Sequence, residues 1–292
     1  ASTWSSRPQM CAGSRAVKKS ANAKIPSPET DEKMTADLPL VSIVTPSYNQ
    51  AAFLEETIRS VLEQDYPRVE YIIIDGGSTD GSADIIQRYA DRLAYWVAER
   101  ERGQTDAINK GFARATGSIL AWLNSDDTYQ PGALREAVDY LLAHPDVGMV
   151  YGDGNFIDEH GNVIGRFPSA QTDLQKLRRG YVHVCQQSSF FRADLWRKVG
   201  PLDPSFYFAM DYDLWVRLAQ HAPLVYLPRT WANFRLHSDA KTINADDRCW
   251  PEMLRVHYRD GGSWFSQIVL KNYIRKLAAP VLNWRRRRMF SR

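Results

Sequence analysis

The sequence predicts an α/β fold in which a largely parallel sheet is flanked by helices. Short apolar runs that suit buried strands alternate with segments in which apolar residues recur at helical spacing. Strands and helices that alternate in this way along a chain build parallel sheets. The composition, 44% apolar and 24% charged, is that of an ordinary globular protein. We therefore expect one main domain, because 292 residues can bury one sizeable core.

The first unit of this pattern is a strand followed by a helix. The segment LVSIVTPSYN, residues 40–49, is apolar at first and then polar, which is typical of a buried strand that ends in a loop. Asn49 is a residue type that caps helices. The positions after it place apolar side chains at helical spacing, namely Leu54, Ile58, Val61 and Leu62.

Two further strands continue the alternation. Residues 70–74 predict a strand that is apolar after Glu70 and ends at Asp75, after which GGSTDGS predicts a glycine-bearing loop before a second amphipathic helix. A third strand is expected at residues 95–98. The segment GQTDAINKGFARATG, residues 103–117, is predicted as a loop that leads into a short helix.

The later elements are less regular. Pro131 suits the first turn of a helix whose apolar stripe reaches residue 141, and a strand is expected at residues 147–151. The segment NFIDEHGNVIG then predicts a hairpin with a two-residue turn at His160-Gly161 or Gly161-Asn162. The clearest elements beyond it are a helix at residues 213–220 and an extended segment at residues 224–237.

The stretch ILAWLNSDD, residues 119–127, carries the strongest chemical signal. Its apolar half predicts a buried strand, and Asn124, Ser125, Asp126 and Asp127 follow where the backbone leaves the sheet. Ligands bind at this carboxyl edge in open α/β sheets. Adjacent carboxylates can hold Mg²⁺ or Mn²⁺ when substrate phosphates supply other ligands. Taken alone, the pair fits turn chemistry equally well, since aspartate also favours loops and helix entry.

The two ends of the chain differ in composition from its centre. Residues 1–37 are rich in Ser, Ala, Lys and Pro without apolar periodicity, so we expect a flexible leader. Residues 261–292 carry eight Lys or Arg and no Asp or Glu, whereas the remainder carries 29 basic and 34 acidic residues. Such a basic end seeks anionic surfaces. The predicted domains are a leader at 1–37, a main domain at 38–240 and a basic helical extension at 241–292.

Cysteine use and apolar runs limit the class of protein. Cys11, Cys185 and Cys249 are odd in number and far apart in sequence, so neither a disulfide framework nor a zinc site is indicated. No apolar run approaches the roughly 18 residues of a membrane span. Residues 1–30 lack the apolar centre of a secretory signal. We therefore expect a cytoplasmic protein.

Five separated segments agree on a family. They are TPSYNQ at 45–50, IIIDGGSTDGS at 72–82, GQTDAINKG at 103–111, LNSDD at 123–127 and FAMDYDLWVRL at 208–218. Across residues 39–238 the chain closely resembles the inverting glycosyltransferases of family 2, which have the GT-A fold and use nucleotide-diphosphate sugars. The resemblance implies a GT-A-like (Rossmann-like) mixed, mostly parallel sheet flanked by helices.

The resemblance also implies a donor-binding set on several loops. The Tyr48 ring would stack on the nucleotide base, a contact worth roughly 1 to 3 kcal/mol in nucleic-acid examples, while core packing is the alternative. Asp75 matches the base or ribose partner, although Gly76 stands where many relatives have a second acidic residue. Asp80 is expected to cap or close its loop. The predicted donor-binding residues are Pro46, Ser47, Tyr48, Asn49, Asp75, Asp106, Asn109, Asn124, Ser125 and Asp126.

The predicted metal ligands come from two places in the chain. Asp126 and Asp127 match the family's metal and diphosphate motif, in which Asn124 replaces a frequent first Asp. His237 falls where similar enzymes often place a histidine near the diphosphate, and a structural histidine is the alternative. The implied cofactor is Mn²⁺ or Mg²⁺, which would neutralise the departing diphosphate.

Asp211 matches the family's catalytic base, which would take a proton from the acceptor hydroxyl. Attack from the opposite face predicts inversion at the anomeric carbon. Asp213 is expected to cap the following helix instead. Gln186 and Gln187 match an acceptor-side segment or satisfy buried backbone groups.

The basic end predicts one of two roles. Residues 264–284 mix apolar and basic residues, and Pro280 interrupts any long helix. One apolar stripe is expected, formed by Ile268, Val269, Tyr273, Leu277 and Val281. The segment either packs on the domain with a solvated arginine tail or attaches the protein to an anionic leaflet. Nucleic acid is a poor fit because the rest of the chain is acidic.

The prediction for the whole chain is metal-dependent, inverting transfer of a sugar from a nucleotide-diphosphate sugar to a glycan or lipid-linked acceptor. Surface polysaccharide or glycolipid is the expected product, made in the cytoplasm or at the inner face of the membrane. Two alternatives stay open. A sugar-phosphate nucleotidyltransferase would usually show a glycine-rich basic loop, which TPSYNQ lacks, and a catalytically silent nucleotide-sugar-binding protein needs no base.

Overall fold

The structure is a computed structural model that describes residues 38–237, 246–274 and 276–277. The predicted leader at 1–37 and the arginine-rich residues 285–288 lie outside the described residues. The strands are β1 (Val41–Ser47), β2 (Val69–Asp75), β3 (Tyr95–Ala98), β4 (Ile119–Trp122), β5 (Thr128–Tyr129), β6 (Met149–Ile157), β7 (Val163–Arg166), β8 (Ser189–Arg192) and β9 (Leu224–Arg235). The helices are α1 (Ala51–Leu62), α2 (Ser82–Arg88), α3 (Gln104–Arg114), α4 (Ala133–Ala143), α5 (Leu174–Arg178), α6 (Ala193–Val199), α7 (Met210–Ala219) and α8 (Asp246–Arg259).

These strands form one mixed sheet in the order β3-β2-β1-β4-β8-β6-β9-β5, with β7 paired to β6. The first four strands are parallel neighbours, as the alternating strand and helix pattern predicts. β8 then enters antiparallel between β4 and β6, and β9 returns parallel to β6. The predicted mixed α/β sheet flanked by helices is confirmed.

Apolar side chains cover both faces of this sheet. All seven residues of β1 are buried. Within this strand, the consecutive residues Ile43 and Val44 belong to separate apolar clusters on opposite faces of the sheet. This alternation follows from the two-residue period of a strand. Trp122 of β4 stacks on Trp215 of α7 with 5.6 Å between ring centroids, which fixes α7 against the sheet. None of the described helices is both long and apolar enough to cross a bilayer.

The start of α1 differs from the prediction. Gln50 is the N-cap residue, and Asn49 adopts a left-handed backbone conformation with φ of 51°. Its side-chain oxygen accepts from the Thr79 amide at 2.9 Å, which ties the β1 loop to the loop after β2. Asp80 serves the helix instead, since its Oδ2 accepts from the Ala51 amide at 2.8 Å. Asn49 therefore joins two loops rather than capping a helix.

Two other local predictions were wrong. Most of the segment 103–117 is the helix α3, which begins directly after Gly103, so the expected loop is short. The β6–β7 hairpin is present, but five residues connect its strands instead of two. Asp158 organises this connection, because its Oδ1 accepts from the amides of His160 and Asn162, each at 2.9 Å.

Candidate active site

Polar residues gather where β1, β2 and β4 end at the same edge of the sheet. Ser47 of β1 lies opposite Asp75 of β2 in the parallel register. The Leu123 amide donates to the Val44 carbonyl at 3.0 Å, so the chain leaves β4 beside β1. The residues Asn124–Asp127 therefore begin at the carboxyl edge, where open α/β sheets bind ligands.

Asp127 holds this loop in place from inside the protein. Its side chain is fully buried. Oδ1 accepts from the Arg235 amide at 3.0 Å, and Oδ2 accepts from Gln187 at 2.9 Å and Asn124 at 3.0 Å. Three donors from separate parts of the chain thus surround the carboxylate, and this geometry opposes the predicted role of Asp127 as a metal ligand.

The electrostatics of Asp127 follow from its burial. Desolvation, and then the neighbouring charge of Asp126, raise the pKa of the Asp127 carboxyl well above its usual value. The hydrogen bonds from Gln187, Arg235 and Asn124 act in the opposite direction because they favour the ionised form. A cation bound at Asp126 would offset the negative charge of Asp126 and so favour the anionic form of Asp127.

Asp126 faces His237 at the end of β9. The distance between Asp126 Oδ2 and His237 Nε2 is 3.1 Å, and the Asp126 side chain keeps 17% of its surface exposed. The Phe53 ring packs against the His237 ring with 4.8 Å between centroids, which fixes the imidazole plane. β9 delivers His237 here because it pairs antiparallel with β5, directly after Asp127. The structure thus brings together two of the three predicted metal ligands.

Arg235 is a site residue that sequence reasoning missed. It is 1% exposed, and its guanidinium donates to the carbonyl of Asp126 at 2.9 Å and to that of Asp158 at 3.0 Å. It also pairs with Glu56 of α1 and lies over the Phe53 ring, 4.9 Å from the centroid. One buried cation therefore connects the Asp126 loop, the β6–β7 connection and α1.

A chain of contacts leads from this loop to the predicted base. Gln104 in the first turn of α3 donates to Asn124 Oδ1 at 2.7 Å. The adjacent Thr105 hydroxyl lies 2.9 Å from the Met210 sulfur and donates to the Phe206 carbonyl at 3.3 Å. Asp211 follows Met210 in the first turn of α7, where the partial positive charge of a helix N-terminus favours an ionised carboxylate.

Glu252 of α8 fixes the loop that precedes Asp211. Its carboxylate accepts from three successive backbone amides, at 3.0 Å from Tyr207, 2.7 Å from Phe208 and 3.0 Å from Ala209. The first two amides lie in the loop before α7 and Ala209 is the N-cap residue, so the Glu252 carboxylate lies next to the positive end of that helix. Sequence reasoning missed this residue, because it lies more than 40 positions after the loop that it holds.

The loops after β1 and β2 form the predicted nucleotide end of the edge. The Tyr48 ring is 63% exposed, which excludes the alternative of core packing. A Cβ at residue 76 would lie only 3.3 Å from Tyr48 Cδ2, so glycine lets the ring lie close to the backbone. Ser47 Oγ is buried and has no hydrogen-bond partner among the described residues. These two side chains fit a planar group and a hydrogen-bonding atom of a ligand.

Asp75 closes its own loop. Its Oδ1 accepts from the amides of Gly77 at 3.1 Å and Ser78 at 2.8 Å, and the Ser78 hydroxyl donates to Oδ2 at 2.6 Å. Both carboxylate oxygens of Asp75 therefore already accept hydrogen bonds within the loop, and the predicted contact with a base or ribose would have to use the same oxygens. Pro46 lies opposite Ile74 within the paired part of β1 and β2.

Other predicted donor contacts have structural partners. Both ends of the Asn109 amide bond the backbone of Leu202, at 2.8 and 2.9 Å, which corrects the prediction that Asn109 faces the donor. Asp106 pairs with the exposed Arg102 at 2.6 Å. Ser125 is buried within the Asn124–Asp127 loop.

The remaining polar candidates also have identified partners. Gln186 satisfies the buried Trp122 carbonyl at 2.8 Å, as the backbone alternative for this residue predicts. Asp213 lies inside α7 rather than at its cap and forms buried ion pairs with Arg217 and Arg259. Asp213 therefore has a structural role, as predicted, but it does not cap the helix.

The donor set at Asp126 fits a divalent cation that arrives with phosphate. Within the part of the chain that the structure describes, no group of three or more His, Cys, Asp or Glu residues could hold a metal ion. Mg²⁺ and Mn²⁺ typically use one or two protein ligands and take the rest from substrate phosphates and water. A carboxylate beside an imidazole suits Mn²⁺. Asp126 and His237 would hold the cation.

Comparison with known proteins places the chain in a family. Residues 42–202 match the family model described as glycosyl transferase family 2. The chain is 31% identical over 225 residues to an uncharacterized glycosyltransferase of Rickettsia conorii, covering 72% of this chain and 37% of that protein. It is 40% identical over 112 residues to TuaG of Bacillus subtilis, named for teichuronic acid biosynthesis, covering 37% of this chain and 44% of that protein.

Solved structures agree on the fold. The S. aureus protein TarS in complex with UDP-GlcNAc superposes with a TM-score of 0.63 at 15% identity, covering 78% of this chain and 67% of that chain. The mannosyltransferase PcManGT of Pyrobaculum calidifontis, in complex with GDP-Man and Mn²⁺, gives a TM-score of 0.57 at 22% identity, covering 76% and 66%. With the carboxyl-edge site, these matches confirm the predicted resemblance, and the chain belongs to glycosyl transferase family 2.

Proposed function

We propose that the protein catalyses metal-dependent, inverting transfer of a sugar from a nucleoside-diphosphate sugar to an acceptor hydroxyl. The observation that carries the proposal is the pairing of Asp126 with His237 at the carboxyl edge, linked through the first turn of α3 to the helix end that bears Asp211. A cation site and a candidate base thus belong to one connected structure. Family membership makes a nucleotidyltransferase the weaker alternative.

Asp211 serves as the general base in this proposal. Its carboxylate accepts the proton of the acceptor hydroxyl while that oxygen forms a bond to the anomeric carbon and the bond to the diphosphate breaks. General-base assistance of this kind contributes roughly 10² to 10⁴ in rate. Because the acceptor attacks opposite the leaving group, the anomeric configuration inverts.

The donor end of the site binds the nucleoside diphosphate. The exposed Tyr48 ring stacks on the base, and the buried Ser47 hydroxyl is available to a polar atom of the nucleoside. A bound Mn²⁺ or Mg²⁺ supplies Lewis-acid neutralisation of the diphosphate. Asp126 and His237 orient that cation, and Arg235 keeps the Asp126 backbone in place.

The proposed setting is surface polysaccharide or glycolipid synthesis on the cytoplasmic side of the membrane. The similarity to TuaG supports this product class, and the basic C-terminal extension supports attachment to an anionic membrane that offers a lipid-linked acceptor. The chain spans 37% of the length of the Rickettsia conorii relative, so the activity of the whole protein is part of the proposal.

The test begins with donor identification and ends with two substitutions. A thermal-shift screen of UDP, GDP, dTDP and CMP sugars with Mn²⁺ reveals the donor, because a ligand that binds the native state raises its apparent stability. Asp211→Asn should then abolish transfer while leaving the donor-induced shift intact. Asp126→Asn should abolish the Mn²⁺-dependent part of the shift.

The exposed Asp91→Asn provides the matched control and should behave as wild type. Wild-type turnover in Asp211→Asn would remove Asp211 from the base role. Retention of the anomeric configuration in the product, read by NMR, would refute inversion. Donor binding without any transfer or Mn²⁺-dependent hydrolysis would favour the catalytically silent binding protein.

A further inference from the structure

The helical residues 267–274, with 276 and 277, have one apolar side against the protein and a second apolar side in solvent. Ile268 and Val269 are 2% and 3% exposed, and a Cβ at Gly180 would meet Ile268 at 2.4 Å, so this side is tightly docked. The other side is more than half exposed and consists of Leu270, Tyr273, Ile274 and Leu277. The described members of the single apolar stripe that the sequence predicts are therefore split between two faces, and Val281 lies outside the described residues.

Two aromatic residues extend the exposed side toward α8. Trp264 is 71% exposed and Phe265 is 99% exposed. The Trp264 ring lies 4.8 Å from the Tyr258 ring of α8, so it is oriented by the folded domain. Exposed apolar side chains that adjoin in this way mark an interaction surface.

Positive charge surrounds this apolar surface. Lys271 and Lys276 on the segment are exposed, and so are Arg178 and Arg179 at the end of α5. A cavity of about 440 Å³ lies between the two arginines and residues 261–267. Residues 261–292 contain no Asp or Glu, so this part of the sequence adds no negative charge.

We propose that residues 264–274, 276 and 277, together with Arg178 and Arg179, form a docking face for an anionic phospholipid bilayer. Aromatic and aliphatic side chains enter the boundary between headgroups and acyl chains, while lysine and arginine bind lipid phosphates. The cavity beside Arg178 and Arg179 has room for a phosphate-bearing headgroup. The proposal deepens the membrane attachment included in the proposed function and specifies the residues that make it.

Charge and exposure favour a bilayer over other occupants. A second copy seated on the same face would place the basic residues of both copies opposite each other, which is repulsive. Nucleic acid would be attracted by the charges, but it offers no apolar phase for Leu270, Ile274 and Leu277. An anionic bilayer complements both the charges and the exposed aliphatic side chains.

Flotation of the full chain with vesicles tests the proposal without donor or acceptor, so failure here leaves the transfer reaction untouched. We expect binding to phosphatidylcholine mixed with phosphatidylglycerol and little binding to phosphatidylcholine alone. Ile274→Glu should abolish it, whereas Leu142→Glu, at a similarly exposed site on α4, should not. The double variant Arg178→Ser, Arg179→Ser should weaken partitioning about 30-fold, because each basic residue near the membrane contributes about 1 kcal/mol and about 2 kcal/mol corresponds to that factor.

Arg197→Ser with Lys198→Ser on α6 removes the same charge elsewhere and should leave partitioning unchanged. Circular dichroism of each variant confirms that it is folded. Equal binding by Ile274→Glu and wild type would overturn the proposal. A concentration-dependent dimer that Ile274→Glu abolishes would assign the face to a second copy, and RNA binding without vesicle binding would assign it to nucleic acid.

Discussion

Replacing Glu252 with Gln should slow the transfer step without weakening donor binding. The Glu252 carboxylate accepts three backbone amides from the loop that leads into Asp211. Gln keeps the length of the side chain but has one acceptor oxygen and carries no charge. Its NH₂ group must face one of the three amides, so one hydrogen bond is lost and the other two become neutral.

The size of the effect follows from these three bonds. A hydrogen bond to a charged group contributes about 1.5 to 3 kcal/mol, and a neutral bond contributes about 0.5 to 1.5 kcal/mol. Losing one charged bond and weakening two others removes about 4 kcal/mol from the ordered loop. Since 1.36 kcal/mol corresponds to a factor of ten in rate, about 4 kcal/mol sets a ceiling near 1,000-fold.

We expect a decrease in kcat of about 10-fold, below that ceiling, because a second contact still holds the loop. Arg255 of α8 lies over the Phe206 ring, 3.7 Å from its centroid, and pairs with Asp203 at 3.2 Å. The donor contacts at Tyr48 and Asp126 lie on other elements, so the donor dissociation constant should not change.

Steady-state kinetics at saturating donor, combined with donor titration, measure the two quantities separately. Glu63→Gln at the C-terminal end of α1 is the control, since among the described residues its exposed carboxylate forms an ion pair with Arg59 alone, and loss of that pair should not alter kcat. An unchanged kcat in Glu252→Gln would refute the claim that this carboxylate positions Asp211. A loss of donor affinity equal to the loss of kcat would indicate a general structural defect instead.

Three further predictions concern the fold and the donor end. Arg235→Lys should lower the free energy of unfolding by about 3 kcal/mol in urea titrations, because an ammonium cannot replace a buried guanidinium that bonds several carbonyls. Glu70→Gln should lower the free energy of unfolding at neutral pH and have little effect on it in acid. Burial raises the pKa of the Glu70 carboxyl, but hydrogen bonds from Ser42 and Thr116 outweigh burial and bring the pKa below its usual value. The stabilisation by the ionised carboxylate is therefore present above pH 4.5 and is lost as the pH falls through the lowered pKa. Tyr48→Ala should weaken nucleotide binding about tenfold by calorimetry while leaving the melting temperature unchanged, because the ring is exposed.

The parallel half of the sheet could be predicted because its strands are buried on both sides. β4 is a continuous apolar run, β1 and β2 are apolar at most positions, and polar loops mark where each strand ends. β8 was not predicted, because four residues carry little periodicity and its place between β4 and β6 depends on distant pairing. The same distant pairing brings the end of β9 to the loop after β4.

The site was predicted only as far as local sequence allows. Two adjacent aspartates mark the carboxyl edge, but which of them faces inward depends on Gln187 and Arg235, which lie far away in sequence. The structure places Asp126 beside His237 at the partly exposed edge and Asp127 in the interior. Arg235 ends β9 directly after Phe234, and an arginine that is buried at such a position requires several partners.

Arg235 binds main-chain carbonyls of Asp126, Asp158 and Glu159, not their side chains. Substitution of the exposed Glu159 therefore leaves the hydrogen bonds of the guanidinium intact, whereas the Asp158 side chain is still needed to shape the connection. The tip of the β6–β7 hairpin can thus accumulate sequence changes, and with them new preferences for a neighbouring molecule, while the cation-binding loop stays anchored.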